Sequence, residues 1–294
     1  MAVFTGSGVA LVTPFTDSGV DFDALSRLVD FQLKNGIDAI IACGTTGESS
    51  TMSEAECNAV IGHIVQQVAG RVPVIAGTGC NDTAHAIQHS IDAQALGADA
   101  LLVVTPYYNK CTQKGLVAHY TAIADAVRLP VIIYNVPART GLDMTPATLD
   151  SLANHPNIVG MKEASGDIRQ MSEMTRLCGD RCAIYSGDDF NVVPLLSMGG
   201  AGVISVAANI VPQDVHTMVA KFFAGDLAGA RALQWQLLPL CEGLFAEVNP
   251  IPIKTAMNLM GMGVGKLRLP LCDMEEKTLA LLQARLTAYG LITK

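Results

Sequence analysis

The chain has 294 residues, of which half are hydrophobic and only 16% charged. That is ample apolar material for a large core and far from the composition of a disordered chain. A net charge of −8 and a pI near 5.2 argue against the basic face that nucleic-acid binding needs, and no apolar run reaches the ~18 residues that span a bilayer.

Aromatic residues are scarce, at 5%, while small and branched aliphatic residues are plentiful, a mixture that suits parallel strands covered by helices. Eight cysteines are scattered without a C-x-x-C pair. The first residues lack the basic and apolar regions of a secretory signal. Reduced thiols and a cytoplasmic location are therefore expected.

In chain order, short β-like runs alternate with helical patterns. The first strand is expected over 8–12, closed by Thr13-Pro14. A helix follows over 21–35, with Leu25, Leu28, Val29 and Leu33 on one face and Gly36 as its stop. Strand two, 39–43, runs into Gly44-Thr45-Thr46-Gly47-Glu48, and Ser53 is placed to cap the next helix. Strand three is 73–76, followed by a cap at Asp82 or Thr83. Strand four, 100–104, ends at Thr105-Pro106-Tyr107-Tyr108, and strand five, 130–134, at Asn135-Val136-Pro137. Strand six, 157–162, ends on Lys162. Strand seven is 182–185, leading to Ser186-Gly187-Asp188-Asp189, and strand eight is 202–206. Helices are expected over 212–224, 226–245, 253–260 and 274–289.

Eight strands with helices between them are the signature of a (β/α)8 TIM barrel of ~250 residues; an open doubly wound sheet is the rival and usually has fewer strands. We expect a catalytic barrel over 1–225 and a C-terminal helical appendage over 226–294, packed on the barrel or on a partner subunit. In such a barrel the active site lies where strands end and βα loops begin. Thr45, Thr46, Tyr107, Tyr108, Tyr134, Arg139, Lys162 and Gly187 all stand just after strands, so a barrel brings them to one mouth.

Lys162 ends an apolar strand. Desolvation lowers the pKa of an amine, and a neutral amine attacks a ketone to form a Schiff base; a strand-end lysine is also commonly a solvated edge charge. The two glycines of Gly44-Thr45-Thr46-Gly47 allow a tight turn whose N–H groups point at an anion near a helix start, or form an ordinary polar turn. Tyr134 is placed for proton transfer near the amine, or is a buried tyrosine with a satisfied hydroxyl. Arg139 suits bidentate binding of a carboxylate and equally suits a solvated loop. His85 and His89 lie at i, i+4 but lack a third ligand and the glutamate of H-E-x-x-H, so no metal site is expected. Gly199-Gly200-Ala201-Gly202 precedes a strand and reads as a helix C-terminal turn. No G-x-S-x-G elbow is present.

Five segments in order carry a resemblance: Gly44-Thr-Thr-Gly-Glu-Ser49, Val104-Thr-Pro-Tyr-Tyr-Asn109, Tyr134-Asn-Val-Pro-Ala-Arg-Thr-Gly141, Gly160-Met-Lys-Glu-Ala-Ser165 and Ser186-Gly-Asp-Asp189. With Asn249-Pro-Ile-Pro-Ile-Lys254 and Leu267-Arg-Leu-Pro270 in the tail, the chain resembles the 4-hydroxy-tetrahydrodipicolinate synthase family over essentially its whole length. The resemblance implies a class I aldolase-type condensation of pyruvate with L-aspartate 4-semialdehyde on the way to diaminopimelate and lysine. It implies Lys162 as the Schiff-base residue and Thr45 and Thr46 as holders of the pyruvate carboxylate. Tyr134, Thr45 and Tyr108 would form a proton relay, with Tyr108 shared with a neighbouring subunit. Arg139 would bind the aldehyde's carboxylate, and Gly187 and Ile204 would offer carbonyls near the lysine. No metal or organic cofactor is implied, and a homotetramer is. Ser49, Ser50, Asn81, His85 and Tyr107 fall where lysine-inhibited members keep an effector site at a dimer interface. Here Glu54, Cys57 and His85 replace that pattern's His, His and Glu, which removes an acid facing the effector's ammonium group. Related lysine-dependent pyruvate aldolases, such as N-acetylneuraminate lyase or keto-deoxy sugar-acid aldolases, share the lysine, tyrosine and turn; Arg139 before Thr140-Gly141 favours the synthase. A silent relative would have lost Lys162 or Tyr134.

Overall fold

The computed structural model describes residues 2–293. Short β-branched and aliphatic runs form eight strands: β1 (Gly6–Ala10), β2 (Ala39–Ala42), β3 (Val74–Gly77), β4 (Ala100–Val104), β5 (Val131–Asn135), β6 (Ile158–Glu163), β7 (Ala183–Ser186) and β8 (Gly202–Ser205). Each pairs in parallel with its sequence neighbour, and β1 also pairs with β8, so the sheet closes into the expected barrel.

Side-chain alternation splits the core into two layers. Ala10, Ile41, Ile75, Leu102, Ile132, Tyr134, Tyr185 and Ile204 point inward and pack with Phe4, which stacks on Tyr185 at 4.4 Å. The opposite strand faces pack against the surrounding helices. Gly160 lies on the inward face of β6, two residues before Lys162; a Cβ there would sit 3.3 Å from both Tyr185 and Ile132, so its missing side chain admits those larger groups.

The helices follow local signals. α1 (Phe22–Lys34) is capped by Asp21 and buries Leu25, Leu28 and Val29. α2 (Glu54–Val68) begins with a capping box in which Ser53 and Glu56 satisfy each other's backbone. Asp82 caps α3 (Thr83–Ala95). α4 (Gln113–Ala126), a single turn α5 (Pro137–Thr140), α6 (Pro146–Leu152), α7 (Ile168–Cys178), α8 (Val192–Ser197) and α9 (Pro212–Phe223) complete the ring. Gly199 and Gly200 donate back to Leu196 and Leu195, the C-terminal turn read from the sequence. The tail is α10 (Leu227–Leu244), which starts at its cap Asp226, α11 (Ile251–Leu259) and α12 (Glu276–Tyr289). Among the described residues, no helix is long and apolar enough to cross a membrane.

Two expectations need correction, and one element is new. The first strand is Gly6–Ala10, not 8–12. Its first residues, Gly6-Ser7-Gly8, carry no apolar pattern, and after Leu11, whose N–H still bonds the Ile41 carbonyl, the backbone leaves the sheet and Val12 N–H is taken by the Asn209 side chain at 3.0 Å. The helix expected over 253–260 begins at Ile251, because a proline in the first turn starts a helix as readily as it ends one. A small antiparallel hairpin, Phe15–Thr16 with Gly19–Val20, was not foreseen; two-residue strands are too short to show a period.

Candidate active site

The register of three neighbouring strands aligns Tyr134, Lys162 and Tyr185 across the barrel. Lys162 is 5% exposed, and its ammonium nitrogen lies 4.3 Å from the centre of the Tyr134 ring. Burial pulls the amine's pKa from 10.5 to about 8; Asp189 resists that shift and Arg139 adds to it. Asp189 is itself buried and accepts from the N–H groups of Val206 and Ala207 at 2.9 and 3.0 Å, which fixes the negative charge beside the lysine. The next residue, Glu163, points out of the barrel and bonds the Asn135 side chain at 2.9 Å. Strand alternation thus separates the charged pair, one to each face.

Tyr134 is also buried. Burial pushes its phenol up, Arg139 and hydrogen bonding from Thr45 pull it down, and Glu163 adds to the rise. Gly187 closes the other side of the lysine: a Cβ there would lie 2.7 Å from Ala164 and 3.0 Å from the Lys162 chain. Ile204 lines the barrel interior.

The turn after β2 departs from the sequence reading. Gly44 and Gly47 do not supply its left-handed residues; Cys43 (φ 54°) and Glu48 (φ 55°) do. Gly47 is needed for space, since a Cβ would come within 3.1 Å of the Leu11 carbonyl. Nor does the turn open directly onto α2. A 3₁₀ turn, Ser49–Thr51, intervenes, and the capping box already occupies that helix start. The turn is closed by Gly47 N–H to Gly44 and Glu48 N–H to Thr45, both 3.1 Å. Thr46 is buried and its hydroxyl accepts from the Asn249 side chain at 2.9 Å.

Arg139 sits on α5, exposed, with Nη2 donating to the Asn249 carbonyl at 2.7 Å. Asn249 therefore touches both Thr46 and Arg139, while its own side-chain oxygen is buried without a partner. In the sequence Asn249 and Lys254 stand only within a tail motif that gives them no place in the site; nothing local marks a residue whose partners lie 203 and 110 positions away.

A cavity of about 410 Å³ opens above the barrel, lined by Thr45, Ser49, Ser50, Tyr107 and Arg139, with Glu54, Cys57 and His89 on the same wall. Lys162 and Tyr134 lie deeper and do not line it, nor do Asn81 and His85. Tyr108 is 91% exposed in a left-handed conformation, so within one chain it does not join the buried lysine. The His85 and His89 rings stack at 6.4 Å. Among the described residues, no group of three or more His, Cys, Asp or Glu side chains stands close enough to hold a metal, and the cysteines are free.

The model of the dihydrodipicolinate synthetase family matches residues 3–289. The chain is 57% identical to the 4-hydroxy-tetrahydrodipicolinate synthase of Thermoanaerobacter sp. strain X514 over 293 residues, 99% of each chain. It superposes with a TM-score of 0.96 on the chloride-inhibited dihydrodipicolinate synthase of Acinetobacter baumannii complexed with pyruvate, at 45% identity over 98% of this chain and 99% of that one. The Cyanidioschyzon merolae enzyme, solved with lysine bound, gives 0.96 at 41% identity over 99% of this chain and all of the other. The protein belongs to the dihydrodipicolinate synthetase family.

Proposed function

We propose that this chain condenses pyruvate with L-aspartate 4-semialdehyde to 4-hydroxy-tetrahydrodipicolinate through a Schiff base on Lys162. The observation that carries this reading is the buried amine, with its pKa near 8, against the Tyr134 ring. A pKa lowered from 10.5 to about 8 raises the neutral fraction at pH 7 roughly 300-fold. The neutral amine adds to the pyruvate ketone, Tyr134 protonates the departing hydroxyl and water leaves. Loss of a methyl proton gives the enamine, whose carbon attacks the aldehyde. The amine of that second substrate then attacks the imine carbon, closes the ring and releases Lys162.

In this scheme Thr45 and Thr46 hold the pyruvate carboxylate, and Gly187 and Ile204 offer carbonyls beside the lysine. Arg139, free at the mouth with one edge tied to Asn249, takes the aldehyde's carboxylate. That cation favours a short acidic aldehyde over a long neutral sugar. Tyr108 completes the Tyr134–Thr45 relay from a neighbouring subunit of a homotetramer; its exposed ring supports this placement. We read 1–225 as the catalytic barrel, 226–294 as the helical appendage, and the working compartment as the cytoplasm. Ser49, Ser50, Asn81, His85 and Tyr107 mark the effector region, with His85 in place of an acid weakening its hold on L-lysine.

The test is trapping. Incubation with pyruvate and borohydride should leave a three-carbon adduct mapped to Lys162, and turnover should then require L-aspartate 4-semialdehyde and not a sugar acid. No adduct, or an adduct on another lysine, refutes the reading.

A further inference from the structure

Among the described residues, the most completely buried ion pair lies outside the lysine site. Glu48 and Lys254 have side chains 0% and 1% exposed, with Nζ to Oε1 at 2.6 Å. Its position is specific. Glu48 is the residue that ends the Gly44–Gly47 turn, and it stands in the left-handed region (φ 55°), which is unfavourable for a residue with a Cβ. Such a conformation persists where the surroundings over-determine it. Here they do. Its N–H is bonded to Thr45 and its carbonyl accepts from Thr51, both at 3.1 Å. One carboxylate oxygen takes Lys254, and the other takes the Arg268 N–H at 3.0 Å.

The cations come from the tail. Lys254 is on α11, and its nitrogen also lies 4.2 Å from the Phe15 ring centre, with the Arg268 guanidinium at 4.1 Å from the same ring. Arg268 forks onto Glu56 at 2.6 and 2.9 Å, tying the same tail segment to the capping box of α2. Two charges withdrawn from water rarely add net stability; an apolar pair of similar shape commonly does as well. What the ion pair adds over an apolar pair is direction: it fixes where the Glu48 backbone stands.

We propose that the Lys254–Glu48 pair is a positioning device that holds the Gly44–Gly47 turn in the geometry where Thr45 and Thr46 receive the keto acid's carboxylate, so that the C-terminal tail sets the affinity for the first substrate. The inference rests on the reaction proposed above. Neither residue touches substrate; both act through the turn.

The test compares the full-length parent with Glu48→Gln/Lys254→Met, which removes both charges and nearly keeps the volume. Thermal unfolding, borohydride trapping and steady-state kinetics are measured for each. The expected result is a folded variant whose KM for pyruvate rises at least tenfold while its KM for L-aspartate 4-semialdehyde stays within threefold. A purely structural role moves the melting temperature and leaves that ratio alone. A folded variant whose pyruvate KM rises less than tenfold overturns the inference, as does an equal rise in both KM values. Should the double variant not fold, Glu48→Gln alone is judged by the same ratio, with a threefold rise as the threshold. A parent that forms no pyruvate adduct sinks the proposed reaction and this inference with it; a parent that forms one beside a variant with unchanged KM sinks only this inference.

Discussion

Replacing Lys162 by Met should stabilise the protein, and by an amount that depends on pH. The amine's pKa falls from 10.5 to about 8 because burial penalises its charged form. At 1.36 kcal/mol per unit, that penalty is about 3 kcal/mol. The sign follows from proton counting. Between pH 8 and 10.5 the unfolded chain binds the proton more tightly than the folded one, so parent stability rises with pH through that window. Below pH 8 both states are protonated and the full penalty is present; above 10.5 both are neutral and it is gone. Methionine fills nearly the same volume without the charge. The variant should therefore exceed the parent by about 3 kcal/mol at pH 7, on the order of 5–10 °C in melting temperature, with the gap closing toward pH 10. Scanning calorimetry or urea unfolding at pH 6.5, 8 and 9.5 reads it. A gap that does not shrink across that range, or a variant less stable than the parent at pH 7, refutes the claim that the lysine is desolvated by its position.

Four further outcomes are expected. Tyr134→Phe should still trap pyruvate on Lys162 but turn over about 10²–10⁴-fold more slowly, because it removes the proton and not the amine; rapid-quench trapping beside steady-state assays separates the two. Arg139→Ala should raise KM for L-aspartate 4-semialdehyde by about 10–100-fold, the worth of a hydrogen bond to a charged group, and leave the pyruvate KM near the parent's. L-lysine at millimolar concentration should leave the rate unchanged; calorimetry that finds micromolar binding with matching inhibition would show that His85 is no handicap. Arg268→Ala should weaken the protein at neutral pH. The guanidinium, first among its causes, holds the Glu56 carboxyl down from 4.5 to about 2, so the stabilisation is full above pH 4.5 and fades as pH falls toward 2. The gap between parent and variant should narrow in acid unfolding curves as pH falls toward 2.

The barrel was legible because its strands carry a local signal: apolar runs of four to six residues bounded by Gly, Pro or capping residues. The placement of the candidate residues was legible for the same reason. Lys162, Tyr134 and Gly187 stand at strand ends, and the rule that barrel chemistry gathers there converts three distant positions into neighbours; the register pairing Tyr134 with Lys162 confirms the adjacency. What stayed hidden is held by contacts with no local period. The Gly-Thr-Thr-Gly turn looked like a device built by its glycines, yet its left-handed residues are Cys43 and Glu48. The Glu48 backbone is bonded locally, to Thr45 and Thr51. Its carboxylate meets a partner 206 residues away, at Lys254, which no local pattern shows.

That distance bears on how the tail should be understood. A helical appendage that merely covered the barrel would meet it through apolar faces, and α10 does bury Leu237, Leu240 and Leu244 in this way. The segment from Asn249 to Arg268 does something different. It sends polar groups to Thr46, Arg139, Glu48 and Glu56, four residues on the turn, on α5 and at the start of α2. Apolar contacts tolerate sliding by an ångström; bonds of 2.6 to 2.9 Å, two of them to the buried Thr46 and Glu48, do not. A turn whose hydroxyls hold a carboxylate, as proposed above, needs the second kind of support, and its own glycine-bounded sequence is too short to provide it. The tail is therefore bonded to the barrel at the turn, at α5 and at the start of α2, and not only packed against it.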